Sequence, residues 1–209
     1  MSRLKLKDGT PVPGATTIAG LIDKPFLVKW ANNLGKEGID VTEYVSKTAK
    51  KGTLIHNIIE SHVTKTEVDL SEYTDEEILH AEKCFKKYLD WEEKHQLTPC
   101  FCEKSFVSEK YLYGGIIDFY CILDGKYTIV DFKTGKNVNH EQFLQVSSYV
   151  QLFLENGWPV DQILILNVPK DLEIPLTENY MNLDSAAYYF EMFKNLINVY
   201  YLKKELGWK

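Results

Sequence analysis

The hydrophobic pattern along this chain changes period twice, from about 3.6 residues to 2 and back, and those changes mark out the elements. Residues 10–20 read as an extended lead-in followed by a capped short helix, and Lys24-Pro25 opens a second helix with proline in its first turn. Leu54, Ile55, Ile58 and Ile59 form one apolar stripe of a further helix, which leaves His56 and Glu60 side by side one turn apart. Thr74 with Glu77 is a capping box, and the helix it opens runs to about residue 95 with Ile78, Ala81, Phe85, Tyr88 and Leu89 as its buried side.

Alternation of period 2 then takes over. Residues 101–107, 115–123 and 126–133 predict an antiparallel meander. Asn139 and Gln142 open a helix that ends near Asn156 with Gly157 as its cap, and the unbroken apolar run 162–168 suits a buried strand reached by a helical crossover. Residues 169–182 are a connector with room for a short strand, and an aromatic-rich helix over 184–205 closes the chain. The expected fold is α/β: a central mixed sheet with an antiparallel hairpin core, flanked by helices, in a single domain over 1–209. Within it, 1–98 form a helical lobe, 99–170 the sheet core and crossover helix, and 171–209 the C-terminal connector and helix.

The hairpin carries the chemistry. Asp124-Gly125 is a favoured two-residue loop, so Leu123 should face Lys126 and, counting outward, Asp118 should face Asp131. Two carboxylates opposed on one sheet face repel, and a divalent cation reverses that penalty. Lys133 shares the face of Asp131, while Val130 and Phe132 point into a core, and a one-residue bulge on either arm would upset this count. An isolated Asp-x-Lys is usually a surface ion pair, but opposite Asp118 it points to catalysis. His56 alone reads as a satisfied helix histidine; only with Glu60 beside it and the rest of the pattern downstream does it read as a metal ligand, with Glu60 holding the imidazole. Glu103 on the neighbouring strand either reaches the metal or makes a plain ion pair, and Gln145 and Tyr149 lie one turn apart on the helix that follows.

Composition narrows the field. A net charge of -6 and a pI near 5.4 argue against a passive nucleic-acid coat protein but not against an enzyme acting on nucleic acid. The lysine groups 47, 50, 51 and 83, 86, 87 read first as solvated helix faces, able also to meet phosphates. Neither a membrane-length apolar run nor a signal-peptide pattern is present, which predicts a cytoplasmic protein with no membrane partner. Cys84, Cys100, Cys102 and Cys121 have no paired C-x2-C spacing and are expected as reduced thiols. His62, His80, His95 and His140 are expected at the surface, and the tyrosines at core or rim.

Gly115-Ile-Ile-Asp118, Val130-Asp-Phe-Lys-Thr-Gly135 and Gln145-Val-Ser-Ser-Tyr149, with Gly52-Thr-Leu-Ile-His56 upstream, occur in an order that resembles the PD-(D/E)xK nuclease superfamily, and in particular the small phage-type members of its RecB-like exonuclease branch. Ile117 stands where that pattern has proline. The resemblance implies a restriction-endonuclease-like fold and a metal-dependent DNA exonuclease of replication, recombination or repair, acting on DNA with a free end. It implies one or two Mg2+ or Mn2+ ions held by Asp118, Asp131, the backbone carbonyl of Phe132 and the nitrogen of His56, with Glu103 and Glu60 as possible additions. Lys133 would act on the attacking water, and Gln145, Tyr149 and Thr134 would contact substrate or support the site. The early and late cysteines that hold an iron-sulfur cluster in several relatives have no counterparts here, so no such cluster is expected. The alternatives are a site-specific or structure-specific endonuclease and a non-catalytic nucleic-acid-binding module on the same fold.

Overall fold

The computed structural model describes residues 4–208. Five strands, β1 (Leu97–Ser108), β2 (Tyr113–Leu123), β3 (Lys126–Lys133), β4 (Gln162–Asn167) and β5 (Thr177–Met181), lie in sequence order in one sheet. β1, β2 and β3 form the antiparallel meander, β4 runs parallel to β3, and β5 returns antiparallel along β4. The helices are α1 (Ala15–Ala19), α2 (Pro25–Lys36), α3 (Val41–Thr64), α4 (Asp75–Glu92), α5 (His140–Glu155) and α6 (Leu183–Glu205). The fold is therefore α/β, a mixed sheet flanked by helices. Among the described residues, no helix is long and apolar enough to cross a membrane.

Two cores sandwich the sheet. On one face α1, α5 and α6 pack on Ile117, Tyr120, Ile129, Ile163 and Ile165; on the other, α3 and α4 pack on Phe119, Cys121, Leu123, Val130, Phe132, Leu164 and Leu166. β4 is apolar from Ile163 to Leu166 because both its faces are covered, the usual state of a strand in a parallel pair. Of the N-terminal helices, α1 belongs to the α5 and α6 layer, and α3 and α4 are the opposite layer. Thr74 and Glu77 make the capping box at the start of α4, whereas α1 begins at Gly14 without a side-chain cap, against expectation. The connector 169–182 does contain a strand, β5.

The Asp124-Gly125 turn has positive φ at both residues, 50° and 81°, and so takes the primed geometry that matches strand twist. It is pinned at the end of α4, where His95 Nδ1 lies 2.7 Å from Asp124 Oδ2 and the Gln96 N–H donates to Oδ1 at 2.8 Å. Its register is the expected one from Leu123↔Lys126 to Phe119↔Val130. There the ladder stops, one step short of Asp118 and Asp131.

Two neighbouring strands kink together at this point. Ile117 packs on the α5 face and Phe119 on the α3 face, although residues two apart on a regular strand share a side. On β1, Phe101 and Phe106 both pack on the α5 face, although five residues apart should oppose them. The reset falls at Asp118 on β2 and at Glu103 on β1, which is left-handed with φ 48°, and these two are the pair missing between Cys102↔Phe119 and Lys104↔Ile117. Because both strands reset at one rung, the register on either side is kept.

Close packing tethers β2 to α5 beside this kink. A Cβ on Gly115 would meet Tyr149 Cε1 at 2.6 Å and Leu152 Cδ1 at 3.2 Å, both in the buried α5 layer. Gly115→Ala should therefore lower stability by about 1–3 kcal/mol through overpacking. Urea melts that superimpose on those of the wild type would contradict this close approach.

Candidate metal centre

Four elements meet where the β2–β3 ladder ends. α3 supplies His56, whose Nε2 lies 3.2 Å from Asp118 Oδ2 and whose ring stands edge-on to Phe132 at 5.8 Å. The same Asp118 oxygen accepts the Phe132 N–H at 2.9 Å, taking the bond that a regular ladder would give to a β2 carbonyl. Lys133 O accepts from Val168 N on the β4 side, so the Phe132 carbonyl, one residue earlier on the strand, points the other way, toward Asp118. The four groups expected to ligate, His56, Asp118, Asp131 and the Phe132 carbonyl, thus lie around one gap in the sheet.

Asp131 is fully buried and Lys133 partly so, and the two form an ion pair between Lys133 Nζ and Asp131 Oδ2. That oxygen has no hydrogen bond of good geometry, only the ammonium charge. From α5, Gln145 Nε2 approaches Asp131 Oδ1 at 3.4 Å and donates to Tyr149 Oη at 2.5 Å. Gln145 and Tyr149 accordingly stand behind Asp131 as supports. Thr134 lies beyond Lys133 against α3, with its Oγ1 2.7 Å from where a Gly52 Cβ would sit.

Glu60 and Glu103 join the group: single ligand atoms of His56, Glu60 and Glu103 all lie within 4.8 Å of one another. The left-handed backbone at Glu103 accompanies this placement. Asp118 and Asp131, by contrast, are not the directly paired residues that turn counting places face to face. His56 comes from the α3 layer and Gln145 from the α5 layer, and the two meet the same pair of aspartates because the strands part.

The electrostatics follow from burial and crowding. Burial, then Asp118, pushes the Glu103 carboxyl up to about 7, with His56 opposing. Burial raises Asp131 to about 6, against Lys133. Burial also works against the charged form of Asp118, but His56, Lys133 and the Phe132 N–H together outweigh it and hold that carboxyl below its ordinary value. For His56 and Lys133 the desolvation penalty is likewise overcome by the surrounding carboxylates, and both stay protonated above their usual ranges. Four carboxylates thus gather around one lysine and one histidine.

These residues fit a divalent metal ion. The donors are hard oxygens and one imidazole, the set suited to Mg2+ or Mn2+. Two adjacent ligands each ~2.1 Å from an octahedral ion lie about 3 Å apart, and His56 Nε2 and Asp118 Oδ2 are 3.2 Å apart.

Lys170 is a residue that sequence reasoning missed. Together with Gly52, Asn57, Phe132 and Thr134, it lines a cleft of about 350 Å³ that opens onto His56 and Lys133. The available signal was topological: parallel pairing sets Lys133 beside Asn167, so residues just after β4 must lie beside those just after β3. The histidines expected at the surface are partnered, His62 with Glu92 at 2.7 Å, His80 with Lys170 O at 2.7 Å, and His140 with Tyr189 at 2.8 Å.

No family model matches this chain, and neither does any curated protein. A similar solved structure, described as "Crystal structure of SSO0001", aligns over 95% of this chain and 79% of its own length, at 15% identity and a TM-score of 0.46.

The carboxylate crowding has a measurable consequence in the metal-free protein. Carbon-detected NMR titration of the Glu103 side chain should show a midpoint near 7, and His56→Ala should move it higher, because the cation that favours the carboxylate is gone. A midpoint in the ordinary glutamate range in both proteins would rule out the crowding.

Proposed function

We propose that this protein is a divalent-metal-dependent deoxyribonuclease that hydrolyses phosphodiester bonds from free DNA ends, in replication, recombination or repair. The observation that carries the proposal is the convergence of His56, Asp118, Asp131 and Lys133 on the gap between β2 and β3. Its likeness to the PD-(D/E)xK pattern supports the same reading, with Asp118, Asp131 and Lys133 all present.

His56, Asp118, Asp131 and the Phe132 carbonyl would hold the ion or ions, with Glu103 and Glu60 near enough to His56 to complete the shell. Bound there, Mg2+ or Mn2+ supplies Lewis acidity toward the phosphate and lowers the pKa of a bound water. Asp131 keeps its carboxylate aimed at the gap because Gln145, backed by Tyr149, approaches its second oxygen from α5. Paired with Asp131, the Lys133 ammonium would also hydrogen-bond the attacking water and the phosphate oxygen on which charge develops. Thr134, next along the chain, offers a hydroxyl to a substrate phosphate.

The assignment to exonuclease rests on the likeness to the RecB-like branch and on the site's position beside α3, which passes close over Thr134 at Gly52. We place the activity in the cytoplasm, where reduced thiols such as Cys84 and Cys121 are stable. Pure protein incubated with end-labelled, end-blocked and circular DNA, in Mg2+, Mn2+ or chelator, tests the whole reading. Mononucleotide release confined to free ends is expected. Nicked circles would mean an endonuclease, and retention of DNA without cleavage a binding module.

Lys133→Met, which keeps the buried stem, should lower kcat by about 10²–10³-fold while Mn2+ still binds by calorimetry. Near-native turnover in that variant would sink the proposed mechanism.

Metal uptake should also depend on pH. Ligation needs Asp131 and Glu103 ionised and His56 neutral; the first two hold protons up to about 6 and about 7, and His56 above its usual range. The ion must displace those protons, so Mn2+ affinity should climb from about pH 6 to about pH 8 with proton release. An affinity flat across that window in calorimetry would contradict these ligands.

A further inference from the structure

Beyond the metal-facing residues, the cleft continues under α3. Its first part, of about 350 Å³, is lined by His56, Lys133, Thr134 and Lys170. A second part, of about 520 Å³, shares Thr134 and Lys170 as a common wall and adds Lys47, Lys51, Lys136 and Tyr44. The two adjoin at Thr134 and Lys170.

The lysines along the cleft differ in what they hold. Lys47 pairs with Glu43 at 2.6 Å and Lys136 with Asp171 at 3.6 Å. Nearby Lys50, on the same helix, is committed to Glu77 at 3.1 Å and to Glu72 O at 2.8 Å. Among the described residues, neither Lys51 nor Lys170 makes an ion pair with a carboxylate; Lys170 Nζ donates to Thr48 O at 3.0 Å. In a chain of net charge -6, two ammonium groups facing one passage without an acidic partner are unexpected. Burial, and secondly the charge of Lys51, pushes the Lys170 ammonium below the ordinary lysine range, so its charged form lacks compensation. An anion seated between them would supply it.

The space for that anion depends on Gly52. A Cβ there would stand 2.7 Å from Thr134 Oγ1 and 3.5 Å from Lys170 Nζ, filling the point where the hydroxyl and the ammonium converge. Gly52 also lies one helical turn before His56, and Thr134 directly follows Lys133, so the pocket abuts the proposed reacting centre. A phosphate suits this donor set: two ammonium groups for its charge and a hydroxyl for a third oxygen.

We infer that Lys51, Lys170 and Thr134 form a phosphate subsite that holds the strand phosphate next to the one being cleaved. This rests on the nuclease reading for its place in the reaction, but binding can be tested without turnover. Fluorescence anisotropy in chelator, with single-stranded oligonucleotides ending in a 5′-phosphate, a 3′-phosphate or hydroxyls, compares wild type with Lys51→Ala and Lys170→Gln. The glutamine can still donate to Thr48 O, and Lys51 is exposed, so neither change should prevent folding. Each variant should bind about tenfold more weakly and lower the slope of log affinity against log salt by about 0.7, the signature of one lost phosphate contact. Its Mn2+ affinity should be unchanged.

Loss on all three oligonucleotides alike supports an internal phosphate at the subsite; loss confined to one phosphorylated end supports a terminal phosphate there. Competition by inorganic phosphate that disappears in the variants supports it further. Unchanged affinity and salt slope in both variants would overturn the inference even if the wild type degrades DNA. Conversely, a wild type that never cleaves but shows these lysine-dependent slopes would keep the subsite and remove the catalytic reading.

Discussion

The candidate site depends on one backbone hydrogen bond that the sheet does not make. After Phe119↔Val130, the antiparallel ladder between β2 and β3 gives way, and the Phe132 N–H is taken by the Asp118 carboxylate instead of a β2 carbonyl. A buried N–H must have some partner, and a charged acceptor is among the stronger ones, so the substitution holds the strands apart without leaving an orphan donor. The gap lets His56, from one helical layer, reach an aspartate on a strand whose neighbouring aspartate is supported by Gln145 from the other layer. A continuous ladder would separate those layers.

The same opening concentrates charge that destabilises the fold. Asp118, Asp131 and Glu103 crowd a partly dry space in which burial works against their charged forms, with Glu60 close to Glu103. Lys133 and a protonated His56 compensate in part, which is why Asp118 stays ionised while Glu103 and Asp131 shift upward. Such a cluster has no structural rationale comparable to the apolar packing around it. Strain and unbalanced charge kept at one place in an otherwise well-packed fold are expected of a working site.

Much of the fold was legible in the sequence because its signals are local. The Asp124-Gly125 turn sets the hairpin register, Thr74 and Glu77 cap α4 as their spacing requires, and the unbroken run in β4 follows from burial on both faces. The kink was not legible. Counting outward from the turn assumes strict alternation, and nothing in the residue types at 103 or 118 announces a paired reset; a glutamate in left-handed backbone carries no pattern that glycine or asparagine would. The count therefore brought Asp118 and Asp131 to one place but set them directly opposite one another, whereas the ladder ends one rung before them. Lys170 escaped for a different reason: its nearness to Thr134 comes from the parallel register of β3 and β4, a non-local fact that connector residues do not encode.

That parallel register also bears on the DNA surface proposed for this acidic protein. Lys133 on β3 lies beside Asn167 on β4, so both strands deliver their following residues to the same end of the sheet, under α3. Asn167 Nδ2 holds Gly135 O at 3.1 Å and Lys170 N holds Thr134 O at 3.3 Å, which fixes the two loops against each other. Carboxylates gather at the gap between β2 and β3, and lysines of α3 and the post-β4 loop line the adjoining passage, where Glu77 and Asp171 are already paired with Lys50 and Lys136. Net charge averages over this separation. Negative groups gathered where cations are proposed to bind, and lysines spaced along the way out, give a local field suited to a phosphate backbone, although the whole chain carries -6.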